Sequence, residues 1–248
     1  MIVNWYRNLF SKVISLIDYN NKKKIYVFFK NKIKNRLITV VDIGAHRGET
    51  IDFFLENFKI KKILAFEPNL SLFKYLNNKK KKFDKKVILL NFGVGLKKST
   101  KILNIMADSS SSTINAINRK SDYYKRKMKF LSIFFFSKKF LTKKQKISVN
   151  NLSYFIKKNN FKNIDILKID AEGYEYNILK GINNLDFKKI RFIYFEHHYD
   201  LMIKKGYKFS QINEFLNKKN FFKKYKLRMK FRKSFEYIYE LSKKKNSR

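Results

Sequence analysis

The sequence predicts an open α/β sheet whose strands are mostly parallel, and three features of the chain support this prediction. Short apolar runs alternate with helical patterns along most of the chain, as they do in βαβ units. Several of these runs are unbroken, which is typical of strands buried on both faces of a parallel sheet. The 248 residues are enough for one domain with a sizeable core.

The first half of the sheet is predicted from three apolar segments, at 37–44, 61–69 and 86–95. Each segment has the length of a strand. After the first, Ile51 and Phe54 begin a stripe of apolar side chains at helical spacing, which predicts a helix packed on the sheet. The segment LSLFKYL predicts the helix after the second strand.

The second half of the chain repeats this alternation. Strands are predicted at 163–170 and 190–198, with a short helix at 175–181 that ends at Gly181. NLSYFIKKNN predicts a helix before these strands, and FSQINEFLNKKN predicts a helix after them. KKYKLRMKF and SFEYIYEL predict a closing pair of strands.

Two regions lie outside this pattern. Residues 1–36 are expected to form an N-terminal helical extension to a main domain at 37–248, because their apolar residues recur at amphipathic spacing. Charged residues interrupt the first turns, so neither a signal peptide nor a spanning helix is expected. Within the main domain, 96–147 is expected to be a lysine-rich insertion that carries loops.

The composition is strongly basic, with 58 Lys+Arg against 19 Asp+Glu and a formal net charge of +39. Such a charge suits nucleic acid or an anionic membrane. However, lysines outnumber arginines 49 to 9 and are spread over the whole chain, whereas arginine is the usual reader of bases and phosphates. The absence of cysteine excludes disulfides and thiolate metal sites and favours a cytoplasmic location.

The scarce acids are concentrated where predicted strands end. Asp42, Glu67, Asp170 and Glu196 each follow an apolar run directly. In open α/β sheets the ligand lies beyond the carboxyl ends of the strands. We therefore expect these four carboxylates to share one rim around a binding site.

The segment VDIGAHRGE predicts a ligand-binding turn between a strand and a helix. Gly44 and Gly48 permit positive φ and close approach of the backbone to a ligand, and the following helix offers free N–H groups. Glu67 ends the next strand, 19 residues after Gly48, and a carboxylate at such a position accepts hydrogen bonds from ribose hydroxyls. Together they predict a cofactor of adenosine type.

Five segments in order, VVDIGAHRGET, ILAFEPN, NFGVG, ILKIDAEGYEYNILKG and FIYFEHH, resemble the motifs of the FkbM family of S-adenosylmethionine-dependent methyltransferases. The resemblance covers roughly residues 37–200 and implies a class I, Rossmann-like fold. That fold is a mostly parallel seven-stranded sheet with helices on both faces and a terminal antiparallel strand. The implied cofactor is S-adenosylmethionine.

The resemblance also implies cofactor-binding residues. Asp42, Gly44 and Gly48 would lie at the methionine end of the cofactor, and Glu67 would bind its ribose. The other predicted cofactor-binding residues are Asn91 and His46. His46 stands where the family commonly has Asn, and it is the one departure from the pattern.

Methyl transfer to a hydroxyl needs a group that accepts the hydroxyl proton. Asp170 is the predicted base, and Glu172 and His197 are predicted to orient the substrate or to replace Asp170 as the base. Glu172 could instead cap the helix that follows it. Alternation along a strand admits only one of His197 and His198 to the site. No motif requires a metal ion.

The predicted function is O-methylation of a hydroxyl on a sugar, a glycan or a small metabolite, with the acceptor class resting on the resemblance alone. The alternatives are a basic protein that binds nucleic acid or a membrane surface, and an RNA methyltransferase on the same fold. A nucleic-acid partner is disfavoured, and peripheral contact with an anionic membrane is left open. Neither the acceptor nor the oligomeric state is predicted.

Overall fold

The computed structural model describes residues 23–79, 83, 85–106, 112–135, 143–229 and 233–242, and the side chains of all of these except 130–135. The first 22 residues of the predicted N-terminal extension lie outside this part of the chain. Residues 23–33 of that extension form a helix.

The helices and strands follow one another in the alternating order that the sequence predicts. They are α1 (23–33), β1 (Ile38–Ile43), α2 (Glu49–Asn57), β2 (Ile60–Phe66), α3 (Leu70–Lys79), β3 (Val87–Leu90), β4 (Gly93–Val94), β5 (Ser99–Ile105), α4 (Asp122–Phe135), β6 (Lys143–Asn150), α5 (Leu152–Lys158), β7 (Ile164–Ile169), α6 (Glu175–Lys180), α7 (Asn184–Phe187), β8 (Ile190–His198), α8 (Phe209–Lys218), β9 (Phe221–Arg228) and β10 (Ser234–Leu241).

Seven strands form the main sheet in the order β3-β2-β1-β7-β8-β10-β9. The pairs from β3 to β8 are parallel, and β10 runs antiparallel to both β8 and β9. The predicted fold class is therefore confirmed. The antiparallel strand β10 is the last described strand along the chain, but in the sheet it lies between β8 and β9 rather than at the edge. The reversal after β8 brings a strand from the end of the chain beside the strand ends that carry the predicted site.

Two hydrophobic clusters cover the two faces of the main sheet. One contains apolar side chains of α5, α6 and α8, and the other contains those of α1, α2 and α3. Each central strand contributes alternate residues to the two clusters, as the pleat requires. In β8, for example, Phe192 and Tyr194 face α1, whereas Ile193 and Phe195 face the opposite side.

The third predicted strand, 86–95, is divided between two sheets. Its first part is β3 of the main sheet, and its last residues form β4 of a small sheet with the order β4-β6-β5. The chain changes direction at Asn91, whose side chain donates to the carbonyls of Glu67 and Pro68. A single apolar run thus contributes strands to two sheets. Its hydrophobicity alone does not predict this division.

The 96–147 region contains more regular structure than the sequence predicts. It includes β5, the described helix α4 and the first part of β6. Only Leu103 in β5 and Ile147 and Val149 in β6 form the buried cluster of this small sheet. Most β5 side chains are exposed or half-buried, so the strand lacks the apolar pattern by which strands are recognised.

No helix in the described ranges is long and apolar enough to cross a membrane.

Gly181 ends α6, as predicted, but it serves a different purpose from the usual left-handed cap. Its φ is −79°, which any residue adopts. A Cβ atom at this position would lie 2.1 Å from the carbonyl oxygen of Gly95. The glycine is therefore required because the backbone after β4 passes directly over the end of the helix.

We expect Gly181→Ala to lower the free energy of unfolding by about 3 kcal/mol, because the added methyl group meets a backbone oxygen that cannot rotate away. Gly206→Ala is the matched control, since its Cβ would meet nothing within 4 Å and its φ of +74° costs only about 1 kcal/mol. Urea unfolding of both variants measures the difference. A loss at Gly181 no larger than that at Gly206 would contradict the close approach.

Candidate functional site

Polar side chains share one face of the sheet near the carboxyl ends of its parallel strands. Lys168 in β7 and Asp170 just after it continue the alternate positions begun by Ile166, which faces α1. In β8, Glu196 and His198 continue those of Tyr194. Glu236 in β10 lies directly opposite Glu196 in the antiparallel register. Alternation alone therefore brings these side chains to the side covered by α1 and α2.

A cavity of about 330 Å³ opens at this place. Its apolar wall includes Phe53, Phe66, Phe92 and Met229. The polar wall combines predicted and unpredicted residues, namely Gly44, His46, Glu67, Asp170, Glu172 and Glu196, together with Lys168, Tyr194 and Glu236. The predicted rim of carboxylates thus exists, except that Asp42 lies behind the wall rather than in it.

The glycine turn at one end of the cavity is fixed by contact with β7. Gly44 has a φ of +88°, and a Cβ there would lie 1.9 Å from the carbonyl oxygen of Asp170. The Asp170 N–H in turn donates to the Ile43 carbonyl at 2.9 Å. Gly48 also has positive φ, at +89°, and precedes the first turn of α2.

Glu67 is held at the end of β2 by two backbone groups. Its Oε2 accepts a hydrogen bond from the His46 N–H and its Oε1 accepts one from the Asn69 N–H, both at 2.8 Å. Burial raises the pKa of Glu67 to about 7, although these hydrogen bonds act in the opposite direction. The carboxyl group lines the cavity with part of its accepting capacity unused. This end of the cavity could hold the cofactor predicted from the sequence.

His46 and Asn91 act on this turn in different ways. His46 has a φ of +49°, and its ring Nδ1 lies 3.1 Å from the Glu49 carboxylate. Its backbone, rather than its ring, makes the hydrogen bond to Glu67. Asn91 is not among the side chains that line the cavity, and it supports the carbonyls that follow β2.

Lys168 links two of the predicted acids. Its Nζ lies 3.1 Å from Asp170 Oδ2 and 3.9 Å from Asp42 Oδ1. Asp42 is fully buried, and neither of its carboxylate oxygens has a hydrogen-bond partner among the described residues. Burial raises the pKa of Asp42 to about 6 even though the Lys168 charge opposes this. The ammonium group therefore holds a buried acid on one side and a cavity acid on the other.

Glu172 belongs to a cluster around His198. The Nε2 atom of His198 lies 3.4 Å from Glu172 Oε2 and 3.6 Å from Glu196 Oε1, and its Nδ1 lies 3.6 Å from Asp200 Oδ2. Burial alone would lower the pKa of His198, but the surrounding carboxylates outweigh burial and raise it well above its ordinary value. The surrounding carboxylates therefore favour the protonated form of His198. Burial raises the pKa of Glu172, against the opposing charge of His198.

The turn that carries Glu172 is braced by the 96–147 region. Thr113 Oγ1 donates to the Glu172 carbonyl at 2.7 Å, and the Asn115 side chain donates to the Gly173 carbonyl at 2.6 Å. Glu172 itself has a φ of +46°. Its side chain faces His198 and does not cap α6, whereas Glu175 accepts a hydrogen bond from the Gly173 N–H at 2.9 Å. Glu175, rather than Glu172, serves the start of that helix.

The structure does not bring His197 to the other predicted site residues. Its ring packs on the opposite face of the sheet, 4.8 Å from the Tyr199 ring and 5.5 Å from that of Phe209. Burial lowers its pKa to about 4. Only one histidine of the pair faces the site, as expected, but that residue is His198. Glu196 and His198 are two residues apart in β8, so their side chains lie on the same face of the sheet. This spacing identifies His198 as the histidine that faces the site.

Lys168, Tyr194 and Glu236 were not predicted as site residues. The Tyr194 hydroxyl donates to Glu236 Oε1, and burial raises the pKa of Glu236 to about 7. No sequence signal indicates that β10 inserts beside β8 in this register. In the part of the chain that the structure describes, no group of three or more His, Cys, Asp or Glu side chains is arranged to hold a metal ion.

We expect Glu236→Gln to remove a pH dependence of stability. A carboxyl group whose pKa is higher in the folded chain stabilises it at low pH, and this contribution is lost as pH rises from about 4.5 through about 7. The stability of the wild type relative to Glu236→Gln should therefore fall by about 3 kcal/mol between about pH 4 and pH 8.

Urea unfolding across this pH range measures the effect, and Glu56→Gln on the exposed side of α2 is the control. If the free energies of unfolding of the wild type and of Glu236→Gln differed by the same amount at every pH in this range, the raised pKa of Glu236 would be contradicted.

Comparison with known structures shows the fold. The FkbM methyltransferase from Methylobacillus flagellatus is 15% identical with a TM-score of 0.51, and the match covers 86% of this chain and 46% of that one. The present chain thus spans about half the length of that protein. M. capricolum TrmK, in complex with S-adenosyl-homocysteine, is 12% identical over 90% of this chain and 68% of its own, with a TM-score of 0.51.

A third structure, magnesium protoporphyrin IX methyltransferase from Synechocystis with bound S-adenosylmethionine, is 8% identical with a TM-score of 0.50, over 93% of this chain and 83% of that one. A search of curated proteins found no significant match. The family model for the methyltransferase FkbM domain matches residues 42–223, from the end of β1 into β9. The chain therefore belongs to the FkbM methyltransferase domain family.

Proposed function

We propose that this protein transfers the methyl group of S-adenosylmethionine to a hydroxyl of a sugar, a glycan or another small metabolite. The observation that carries this proposal is that one cavity is lined both by Gly44 and Glu67, at the ends of β1 and β2, and by Asp170 and Glu172, just after β7. The first pair suits an adenosine cofactor, and the second pair offers proton acceptors. The hydroxyl acceptor class is supported by the family resemblance.

The residues at the glycine turn fit the cofactor. A carboxylate can accept about four hydrogen bonds, and the two backbone N–H groups leave Glu67 with capacity for the hydroxyls of a ribose. Gly44 lines the cavity, and its lack of a side chain lets the turn pack directly on the backbone of Asp170. Asp42 does not line the cavity, so its proposed contribution is the negative charge that it places beneath this end.

S-adenosylmethionine supplies an activated methyl group, so the protein needs mainly to align the acceptor and to receive its proton. Asp170 remains our proposed base, because it lines the cavity at the end of β7 and Lys168 fixes its orientation at 3.1 Å. Glu172 is the second candidate, since burial raises its pKa toward the range in which a base is most effective. His197 has no role in this proposal because it lies on the other face of the sheet.

The net charge of +39 favours a second candidate, an RNA methyltransferase. The wall of the cavity argues against it, because carboxyl groups there would repel a phosphate backbone. Binding to RNA over a salt series separates the two: tight binding at physiological salt, together with methylation of RNA, would replace the first proposal. The same charge leaves contact with an anionic membrane open.

We expect the wild type to bind S-adenosyl-homocysteine and Glu67→Gln to bind it about tenfold or more weakly, because the amide nitrogen cannot accept a hydrogen bond. Isothermal titration calorimetry measures both affinities. Glu56→Gln, on the exposed side of α2, is the control. If the wild type does not bind, the proposed cofactor is refuted; if Glu67→Gln binds equally well, the role of Glu67 is refuted.

We expect Asp170→Asn to lower kcat for methyl transfer by about 100-fold or more and to leave cofactor affinity nearly unchanged, because the amide cannot accept the acceptor proton. The assay follows tritiated methyl groups from S-adenosylmethionine into sugars and glycan extracts. Glu172→Gln is assayed in parallel. Unchanged turnover in Asp170→Asn with a large loss in Glu172→Gln would transfer the role of base to Glu172.

A further inference from the structure

Three carboxyl groups line the part of the cavity formed by β8, β10 and the turn after β7. Glu172, Glu196 and Glu236 all line it. In a chain with 58 basic and 19 acidic residues, three carboxyl groups on one wall run strongly against the composition. Burying a carboxylate without a partner costs free energy. A ligand with the opposite charge would therefore stabilise this wall.

Strand order separates this wall from the cofactor turn. β8 is the second neighbour of β1 in the sheet and β10 is the third. With a strand spacing of about 4.8 Å, Glu196 and Glu236 belong to strands roughly 10 and 14 Å from the strand that carries Gly44. Glu67 lies on the other side of β1, at the end of β2. The acidic wall is therefore at the acceptor end of the cavity.

The most informative atom of the wall is Glu196 Oε1. Glu196 is only 7% exposed, and this oxygen has no hydrogen-bond partner among the described residues. Glu236 faces it directly across the antiparallel pair, and like charges in that relation repel. Tyr194 donates its hydroxyl to Glu236 and not to Glu196. A buried acceptor next to a second carboxyl group is thus left without a donor.

The described cations near this wall offset its negative charge only in part. Lys168 makes its ion pairs with Asp42 and Asp170. His198 Nε2 lies 3.6 Å from Glu196 Oε1, within ion-pair distance but beyond hydrogen-bond distance, and its single charge is shared with Glu172. Lys127 and Lys205 do not line the cavity. A ligand with both positive charge and N–H donors would complete the site.

We propose that Glu196, with Glu172 and Glu236, binds a protonated amine of the methyl acceptor, so that the acceptor is an amino alcohol of the amino-sugar type. This inference rests on the proposed function and narrows its substrate class. A neutral polyol would supply donors but leave the negative charge uncompensated, and a phosphorylated acceptor would add to it. A metal ion is disfavoured, because the described His, Asp and Glu side chains show no arrangement that could hold one.

The cofactor carries an ammonium group of its own, which is a competing explanation for the acidic wall. The strand separation argues against it, and the experiment tests it directly. If Glu196 serves the cofactor, Glu196→Gln must weaken the binding of S-adenosyl-homocysteine, which keeps that ammonium group. If Glu196 serves the acceptor, this affinity is unchanged.

The test compares glucosamine, glucose and glucose 6-phosphate, which present one ring with a positive, neutral or negative substituent. Binding is measured by calorimetry and saturation-transfer NMR, with and without saturating S-adenosyl-homocysteine. We expect the wild type to bind glucosamine at least about tenfold more tightly than glucose and to bind glucose 6-phosphate most weakly. A tenfold difference in affinity corresponds to about 1.4 kcal/mol of binding free energy. Glu196→Gln should lose the preference for glucosamine.

Glu236→Gln is the second variant if Glu196→Gln does not fold, and Glu214→Gln, on the exposed surface beside Lys218, is the matched control. Equal binding of glucosamine and glucose by the wild type would overturn the proposal, as would no binding of any of the three sugars. Magnesium chloride that binds in a Glu196-dependent manner would overturn it in favour of a metal site. Absence of S-adenosyl-homocysteine binding refutes the proposed function separately, because the sugar preference is also measured without it.

Discussion

The contact between Gly44 and the carbonyl oxygen of Asp170 is the constraint on which the site depends. The two strand ends approach so closely that a Cβ at position 44 would lie 1.9 Å from that oxygen. The approach commits the backbone to a left-handed turn, which then sends the His46 N–H toward Glu67. It also fixes where Asp170 emerges from β7. One close backbone contact therefore fixes the turn that carries Gly44 relative to the strand end that carries Asp170.

The second determinant is the pleat of the sheet. Because side chains alternate along a strand, Lys168 and Asp170, Glu196 and His198, and Glu236 all emerge on the face covered by α1 and α2. Apolar residues of the same parity, such as Ile166 and Ile238, anchor that face in the hydrophobic core. Beyond these apolar residues, the carboxyl side chains lie on the same face of the sheet and line the polar cavity. Their burial raises several pKa values, and within the described ranges oxygens of Asp42 and Glu196 have no hydrogen-bond partner.

The main strands and the rim could be predicted from the sequence, because each parallel strand is an unbroken apolar run that ends in an acid. Residues that depend on long-range register could not. Glu236 joins the site through the pairing of β10 with β8, about 40 residues apart in the chain, and no local pattern encodes that pairing. The prediction places His197 in the site, whereas the structure places His198 there, two residues after Glu196 and on the same face of the strand. β5 was missed because only Leu103 in it is buried.

The chain combines a basic exterior with an acidic cavity, and the two have different physical origins. The lysines are spread over the sequence and are mostly solvated, so their charges are screened within about 8–10 Å at physiological salt. The cavity carboxyls lie in a low-dielectric wall where screening is weak and each charge acts strongly on its neighbours. A ligand inside the cavity therefore experiences Glu172, Glu196 and Glu236 far more than the formal charge of +39. The net charge governs encounter with large partners, whereas the local acids govern which small molecule binds.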